Sequence, residues 1–122
     1  MATVFACDLS VFTPDQRERL RDLVAQVFEA CGQAEELPDG FRLRFPVGSV
    51  PAAGGGGNAA PAPMITEWIT LERLCCPCIA FAVEFAAEGG PITVRMTGAE
   101  GIKSFLLAEF KGRIAEKLPH AR

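Results

Sequence analysis

The stretch FAVEFAAEGGPITVRM, residues 81–96, decides the fold. Its first five residues alternate Phe or Val with other side chains, as a strand with one buried face does, and its last five alternate in the same way. Between them, Glu88-Gly89-Gly90-Pro91 is typical of a hairpin turn. The alanines from 80 to 87 would also suit a helix, but the turn and the return strand favour a β-hairpin.

Two more strands are predicted outside this hairpin. Residues 41–45, FRLRF, place three apolar side chains on one face and Arg42 and Arg44 on the other. Residues 3–11 are rich in β-branched and aromatic side chains, which predicts a first strand there. The segment from 48 to 63, which includes the run Gly54 to Gly57, predicts a flexible loop.

Three helices are also predicted. Thr13-Pro14-Asp15-Gln16 combines an N-cap, a proline at the first helical position and a capping-box glutamine, and a glycine stops this helix after residue 31. A second helix covers about 64–76 and ends before Pro77. A third begins near residue 98. The order β-α-β-α-β-β-α indicates an α+β fold, a two-layer sandwich with a mainly antiparallel sheet of about four strands and three helices.

Composition and charge narrow the classes of function. The 122 residues, 49% of them apolar, are enough for one domain over 1–122. The net charge is −3, and Lys and Arg form no stripe, which argues against nucleic acid as a partner. The start has no secretory pattern and no run reaches membrane-spanning length, so we expect a cytoplasmic protein without a membrane partner. Five scattered cysteines then predict free thiols, metal ligands or redox groups.

Three of the cysteines crowd into four positions at the predicted end of the second helix, Cys75-Cys76-Pro77-Cys78. At 100° per residue, Glu72 shares the helical face of the adjacent pair. We interpret its carboxylate as a hard metal ligand, as a proton acceptor for a thiol, or as a buried acid satisfied by backbone donors. Cys31 and Trp68 are interpreted as core residues. His120, the only histidine, is interpreted as a solvated residue.

Two kinds of thiol chemistry compete for this cluster, and packing alone is a third interpretation. Cys75 and Cys78 have the Cys-x-x-Cys spacing of redox motifs, but in the thioredoxin fold that motif opens a helix. Here it closes one, where the helix dipole disfavours a thiolate. Soft-metal coordination suits thiolates better. Because adjacent cysteines on a regular helix diverge by about 100°, we expect a metal site to pair Cys75 with Cys78 or to recruit Cys7.

Over residues 5–110 the chain also resembles a small family of bacterial proteins. The resemblance rests on Cys7-x-Leu9, on the stretch GFRLRFP at 40–46 and, most specifically, on the Glu-Arg-x-Cys-Cys-Pro motif at 72–77. Similar segments are fused to the C-terminus of some mercury-resistance-type (MerR family) transcriptional regulators. The family has Phe where this chain has Cys78. The resemblance implies that the adjacent cysteines are the working pair, with Cys7 as a third sulfur, and that the ligand is thiophilic.

Together these patterns predict a thiol-centred soft-metal-binding protein. The predicted ion is soft or borderline, namely mercury, zinc or copper(I), with a small electrophile as the alternative partner. Whether the protein forms a homodimer is left open. A thiol oxidoreductase or other cysteine-dependent enzyme is an alternative function that the lack of a nearby histidine disfavours, and a structural or interaction domain is another. The predicted metal ligands are Cys75, Cys76, Cys78, Cys7 and Glu72.

Overall fold

Four strands and four α-helices follow one another along the described residues, 5–46 and 61–119, of this computed structural model. The strands form a sheet in the order β1-β2-β4-β3, and every neighbouring pair is antiparallel. The predicted α+β class with an antiparallel sheet of four strands is confirmed. In chain order the elements are α1 (Pro14–Ala30), β1 (Gln33–Leu37), β2 (Gly40–Phe45), α2 (Pro61–Cys75), β3 (Ala80–Phe85), β4 (Ile92–Thr97), α3 (Ile102–Glu109) and α4 (Arg113–Lys117).

The hairpin expected over residues 81–96 is present as β3 and β4. Phe81 pairs with Met96 and Phe85 pairs with Ile92, so the two alternating patterns share one face of the sheet. In the turn between the strands, Glu88 has a φ of 61°. The glycine that follows it has a φ of 68°, a left-handed conformation that costs glycine little.

The prediction of a first strand over residues 3–11 is wrong for the described part of that stretch. Residues 5–8 have no regular secondary structure, and Leu9–Val11 form a short 3-10 helix; the remainder of the expected strand lies outside the described residues. The strand that completes the sheet is β1, whose sequence QAEEL has little β-propensity. It forms because a two-residue turn at Pro38 and Asp39 folds it onto β2, which it pairs along its whole length.

One face of the sheet and the helices enclose the core. Phe41, Leu43 and Phe45 of β2 are buried, whereas Arg44 between them is exposed, as the alternating pattern predicted. Trp68 of α2 is fully buried. Its ring meets three Phe rings at centroid distances of 5.6 to 6.3 Å, those of Phe28, Phe81 and Phe110. The prediction that Trp68 belongs to the core is confirmed.

The helices follow their sequence signals, with two differences. The capping box at Thr13 and Gln16 is formed, and α1 starts at the proline between them. The last predicted helix is divided, because Lys111 and Gly112 adopt positive φ values of 52° and 82° between α3 and α4. Residues 61–63, expected in the loop, begin α2, and the rest of that loop from 48 to 60 lies outside the described residues. In the described part of the chain, none of the helices is long and apolar enough to cross a membrane.

Candidate functional site

The C-terminal end of α2 brings two thiols together. The helix ends at Cys75, and the N–H of Cys76 still donates to the carbonyl of Glu72 at 2.8 Å. Pro77 has no N–H to continue the pattern, and the chain turns so that the N–H of Ile79 donates to the Cys76 carbonyl at 3.2 Å. Because the helix stops between the two cysteines, the divergence expected on a regular helix does not separate them. Their Sγ atoms lie 3.6 Å apart.

The segment before α1 adds a third sulfur. The N–H of Asp8 donates to the carbonyl of Cys75 at 2.8 Å, which satisfies one of the carbonyls that α2 leaves without a helical partner. The Sγ of Cys7 lies 3.2 Å from the Sγ of Cys75. The ring of Phe5 packs on Phe105, with 5.8 Å between ring centroids. Cys7 therefore reaches the cluster from an irregular segment, not from a strand.

Glu72 is a buried acid at the centre of this cluster. Only 2% of its surface is exposed. Its Oε1 lies 3.6 Å from the Sγ of Cys76 and 3.9 Å from the Sγ of Cys75. Its Oε2 accepts a 2.7 Å hydrogen bond from the indole Nε1 of Trp68. The buried carboxyl group is thus satisfied by a side-chain donor and not by the backbone donors that one interpretation of the sequence expected. The sequence carried a signal for this contact, because positions 68 and 72 are four apart on one helix face.

The groups of the cluster perturb one another's protonation. Burial, and then the neighbouring Cys75 sulfur, raise the pKa of Glu72 to about 8, although the Trp68 and Cys76 hydrogen bonds oppose the rise. The pKa of Cys75 is lowered to about 7, chiefly by its hydrogen bond with Cys76 and also by the hydrogen bond that Cys7 donates to its sulfur. The pKa of Cys76 is raised by that same hydrogen bond, and burial raises the pKa of Cys7. Negative charge therefore concentrates on Cys75.

Four donor atoms converge closely enough to hold one metal ion. One donor atom each from Cys7, Glu72, Cys75 and Cys76 lies within 4.8 Å of all the others. Sulfurs around a tetrahedral ion with metal–sulfur bonds of about 2.3 Å would be about 3.8 Å apart. The observed separations of 3.2 and 3.6 Å reach that value after a small widening. The donor set is mostly soft, with one hard oxygen.

The other cysteines lie outside this group. Cys78, the fifth predicted ligand, does not join the four donors; it is half-buried in the turn after α2. Its carbonyl faces Gly98, where an added Cβ would come within 3.0 Å of that oxygen. Cys31 follows α1 and is 1% exposed, with its Sγ donating to the Gln33 carbonyl at 3.4 Å. Its interpretation as a core residue is confirmed. His120 lies outside the described residues.

A cavity of about 240 Å³ opens beside the cluster. Cys7 and Glu72 both line it, so the donor group has access to the protein surface. Four of the lining residues are cationic, a feature that the sequence analysis missed because α1, α4 and the link before α4 each contribute. The only local signal is the four-residue spacing of Arg17 and Arg21 on α1. The remaining lining residues are Leu9, Leu20, Val24, Glu109, Phe110, Lys111 and Arg113.

No family model, no curated protein and no solved structure matches the chain. What the site can do is therefore argued from its own residues. They define a class of protein: a small α+β fold with a mostly buried group of three cysteines and one glutamate that could hold a metal ion.

Proposed function

We propose that this protein binds one soft metal ion through the sulfurs of Cys7, Cys75 and Cys76, with a Glu72 oxygen as the fourth ligand. The observation that carries the proposal is the convergence of these four donor atoms within 4.8 Å. Packing alone gives no reason for an acid among three sulfurs, because a buried carboxylate is costly when ionised even though the Trp68 indole satisfies its Oε2. A bound cation would offset that cost and keep the thiols deprotonated.

Three thiolates favour a soft or borderline ion over a hard one, and the proposal covers mercury(II), copper(I) and zinc. Cys78 is not needed, because three sulfurs and one oxygen already complete four-coordination. The resemblance to bacterial proteins with the Glu-Arg-x-Cys-Cys-Pro motif supports a thiophilic ligand by analogy. A cytoplasmic setting would suit the site, because its reducing conditions keep thiols free.

The test is a titration of the freshly reduced protein with each of the three ions. A low-molecular-weight thiol is present as competitor, so that isolated cysteines do not retain metal. Native mass spectrometry counts the bound ions, and the sulfur-to-metal absorption band reports the affinity. We expect one ion per chain. Replacing Cys75 or Cys76 by Ser removes a ligand and is expected to weaken metal binding about 100-fold. Replacing residues that only hold a ligand in place already costs about 10- to 100-fold in metal affinity.

Cys31→Ser is the matched control, because Cys31 is as buried as Cys75 and Cys76 but lies outside the group of four donors. It should bind metal like the unmodified chain. Cys7→Ser gives a second test at a half-buried position, where the substitution disturbs packing less. Equal affinity in the Cys7, Cys75, Cys76 and Cys31 variants would contradict the proposal.

One observation favours a second function, that of a thiol–disulfide pair. The Sγ atoms of Cys7 and Cys75 are 3.2 Å apart, closer than those of Cys75 and Cys76. A disulfide oxidant could take two electrons and two protons from them and leave a Cys7–Cys75 bond. Peptide mapping after oxidation distinguishes this pair from the Cys75–Cys78 disulfide that the sequence spacing favoured. A reduction potential in the oxidoreductase range would support this function over metal binding.

A further inference from the structure

The cavity beside the cluster is positively charged, although the whole chain has a net charge of −3. The four cations on its wall, Arg17, Arg21, Lys111 and Arg113, outnumber the two carboxylates there, Glu109 and Glu72. All four cations are exposed side chains. The ion pairs formed within the described residues join Arg19 to Glu67, Arg42 to Glu35 and Lys103 to Glu36, so they neutralise none of the four.

The cavity also has an apolar part, formed by Leu9, Leu20, Val24 and Phe110. Cationic groups beside an apolar surface are suited to a small organic anion. The volume of about 240 Å³ is below the range of about 300 to 1,000 Å³ typical for drug-sized ligands. A compact anion with a few carboxylates therefore fits better than a nucleotide or a peptide.

We propose that this cavity binds an anionic low-molecular-weight thiolate complex of the soft metal, and that the metal passes from this complex to the cysteines. The inference rests on the proposed function and names the form in which the metal arrives. Where small thiols are abundant, a soft ion is held as a thiolate complex, and carboxylates on those thiols make it anionic. Such a complex would be repelled by most of an acidic protein and attracted by this cavity.

The order of the sulfurs suits a stepwise transfer. Cys7 lines the cavity, whereas Cys75 and Cys76 are fully buried. In the first two steps a metal–sulfur bond to a carrier thiolate breaks, one to a cysteine forms, and the cysteine proton goes to the departing thiolate. In the third step the last cysteine adds to the ion and its proton goes to the solvent, so no electrons are exchanged in any step. The first bond forms at Cys7, and the short distances of 3.2 and 3.6 Å then lead to Cys75 and to Cys76.

The experiment measures the rate of metal transfer from two carriers of opposite charge. Mercury(II) is supplied as its complex with mercaptosuccinate, which is anionic, or with 2-aminoethanethiol, which is cationic. Stopped-flow absorbance follows the sulfur-to-metal band of the reduced protein. The test variant, Arg21→Gln with Arg113→Gln, removes two cavity charges. The control, Arg44→Gln with Arg95→Gln, removes two exposed charges from the face of the sheet opposite the core.

We expect transfer from the anionic carrier to be about tenfold faster than from the cationic one at low salt, and the difference to shrink at high salt. The test variant should slow the anionic transfer about fivefold, while the control stays within about twofold. Affinity at equilibrium should be the same in all three proteins, since no ligand is removed.

Two outcomes separate the two proposals. Equal transfer rates from both carriers, or a control that slows transfer as much as the test variant, would overturn the role of the cavity and leave the metal site intact. Failure of the unmodified protein to bind mercury at equilibrium from either carrier, in the presence of competing thiol, would overturn the proposed function itself.

Discussion

Two helices of this protein end in the same way but produce different chemistry. Cys31 follows α1 and its N–H donates to the carbonyl of Val27; Cys76 follows α2 and its N–H donates to the carbonyl of Glu72. Both thiols are buried, at 1% and 0% exposure. The residue four positions earlier is apolar in α1 and acidic in α2, and only the second helix end is met by the sulfur of Cys7.

The difference shows that burial of a cysteine says little about its role. Cys31 behaves as a small hydrophobic residue, because the hydrogen bonds of its sulfur are to the backbone, at Gln33 and Arg44. Cys76 has a thiol and a carboxyl group as neighbours, and a charged cavity lies beside the cluster. A site therefore arises from the partners that other segments bring to a helix end.

The largest expected effect is the stabilisation by metal. A metal at about 1,000 times its dissociation constant should raise the free energy of unfolding by about 4 kcal/mol. Thermal unfolding with and without metal is expected to show this gain in the unmodified protein and in Cys31→Ser. In Cys76→Ser, whose affinity should be about 100-fold weaker, the gain should fall to about 1.4 kcal/mol. A gain that Cys76→Ser retains and Cys31→Ser loses would reverse the comparison of the two helix ends.

The next effect is the dependence of stability on pH in the metal-free reduced protein. The pKa of Glu72 is about 8 in the fold, against 4.5 ordinarily. Below pH 4.5 the carboxyl group of Glu72 is protonated in both the folded and the unfolded chain, and its contribution to the free energy of unfolding is fully present. As the pH rises towards 8, the unfolded chain loses its proton first, so stability falls. Between pH 5 and 7 the loss should be about 2 to 3 kcal/mol.

Glu72→Gln should abolish this part of the pH dependence, because the amide keeps an oxygen for the Trp68 indole but does not titrate. Glu29→Gln, at an exposed position near the end of α1, is the matched control and should leave the dependence unchanged. Urea titrations at pH 5, 6 and 7 measure all three proteins. A pH dependence that survives in Glu72→Gln would show that other groups cause it and that Glu72 does not have a raised pKa in the fold.

Elements that depend on residues close together in the sequence were predicted correctly. Elements that depend on contacts with residues far along the chain were not. The alternation in residues 81–96 and the capping box at Thr13 act within a few residues, so their elements are found where expected. The sequence of β1 has little β-propensity of its own, and it is a strand because a tight turn pairs it with β2. The 3–11 stretch has strand-like residues but no strand partner in its described part.

The same distinction applies to the candidate site. Glu72 shares a helix face with the adjacent cysteines, so angular spacing predicted its proximity to each of them. The 3.6 Å between the two sulfurs was not predicted, because on a regular helix the two side chains diverge by about 100°. Cys7 entered the prediction only as an option, because spacing does not fix a contact across 68 positions. The positive charge of the cavity was missed for a similar reason, since several elements supply it.

A smaller effect is expected in thiol modification. Burial raises the pKa of both Cys31 and Cys7, so the two thiols differ in access, and the sulfur of Cys31 is shielded from solvent. Cys7 is partly exposed and lines the cavity. Timed alkylation with iodoacetamide at pH 8, followed by peptide mass mapping, should label Cys7 about tenfold faster than Cys31. Bound metal should remove that difference by protecting Cys7. Labelling of Cys31 at the rate of Cys7 would show that its helix end opens readily.

The smallest expected effect concerns Cys78 and marks the boundary of the second helix end. Pro77 turns the chain after Cys76, and the sulfur of Cys78 is not among the four converging donors. Cys78→Ser should therefore change metal affinity by less than about twofold. The free energy of unfolding should change by less than about 1 kcal/mol, because Cys78 is only partly buried at the edge of the core. If metal affinity fell as far as in Cys76→Ser, the site would extend past the turn. Glu72 and Cys7 would then not be enough to explain why the end of α2 differs from the end of α1.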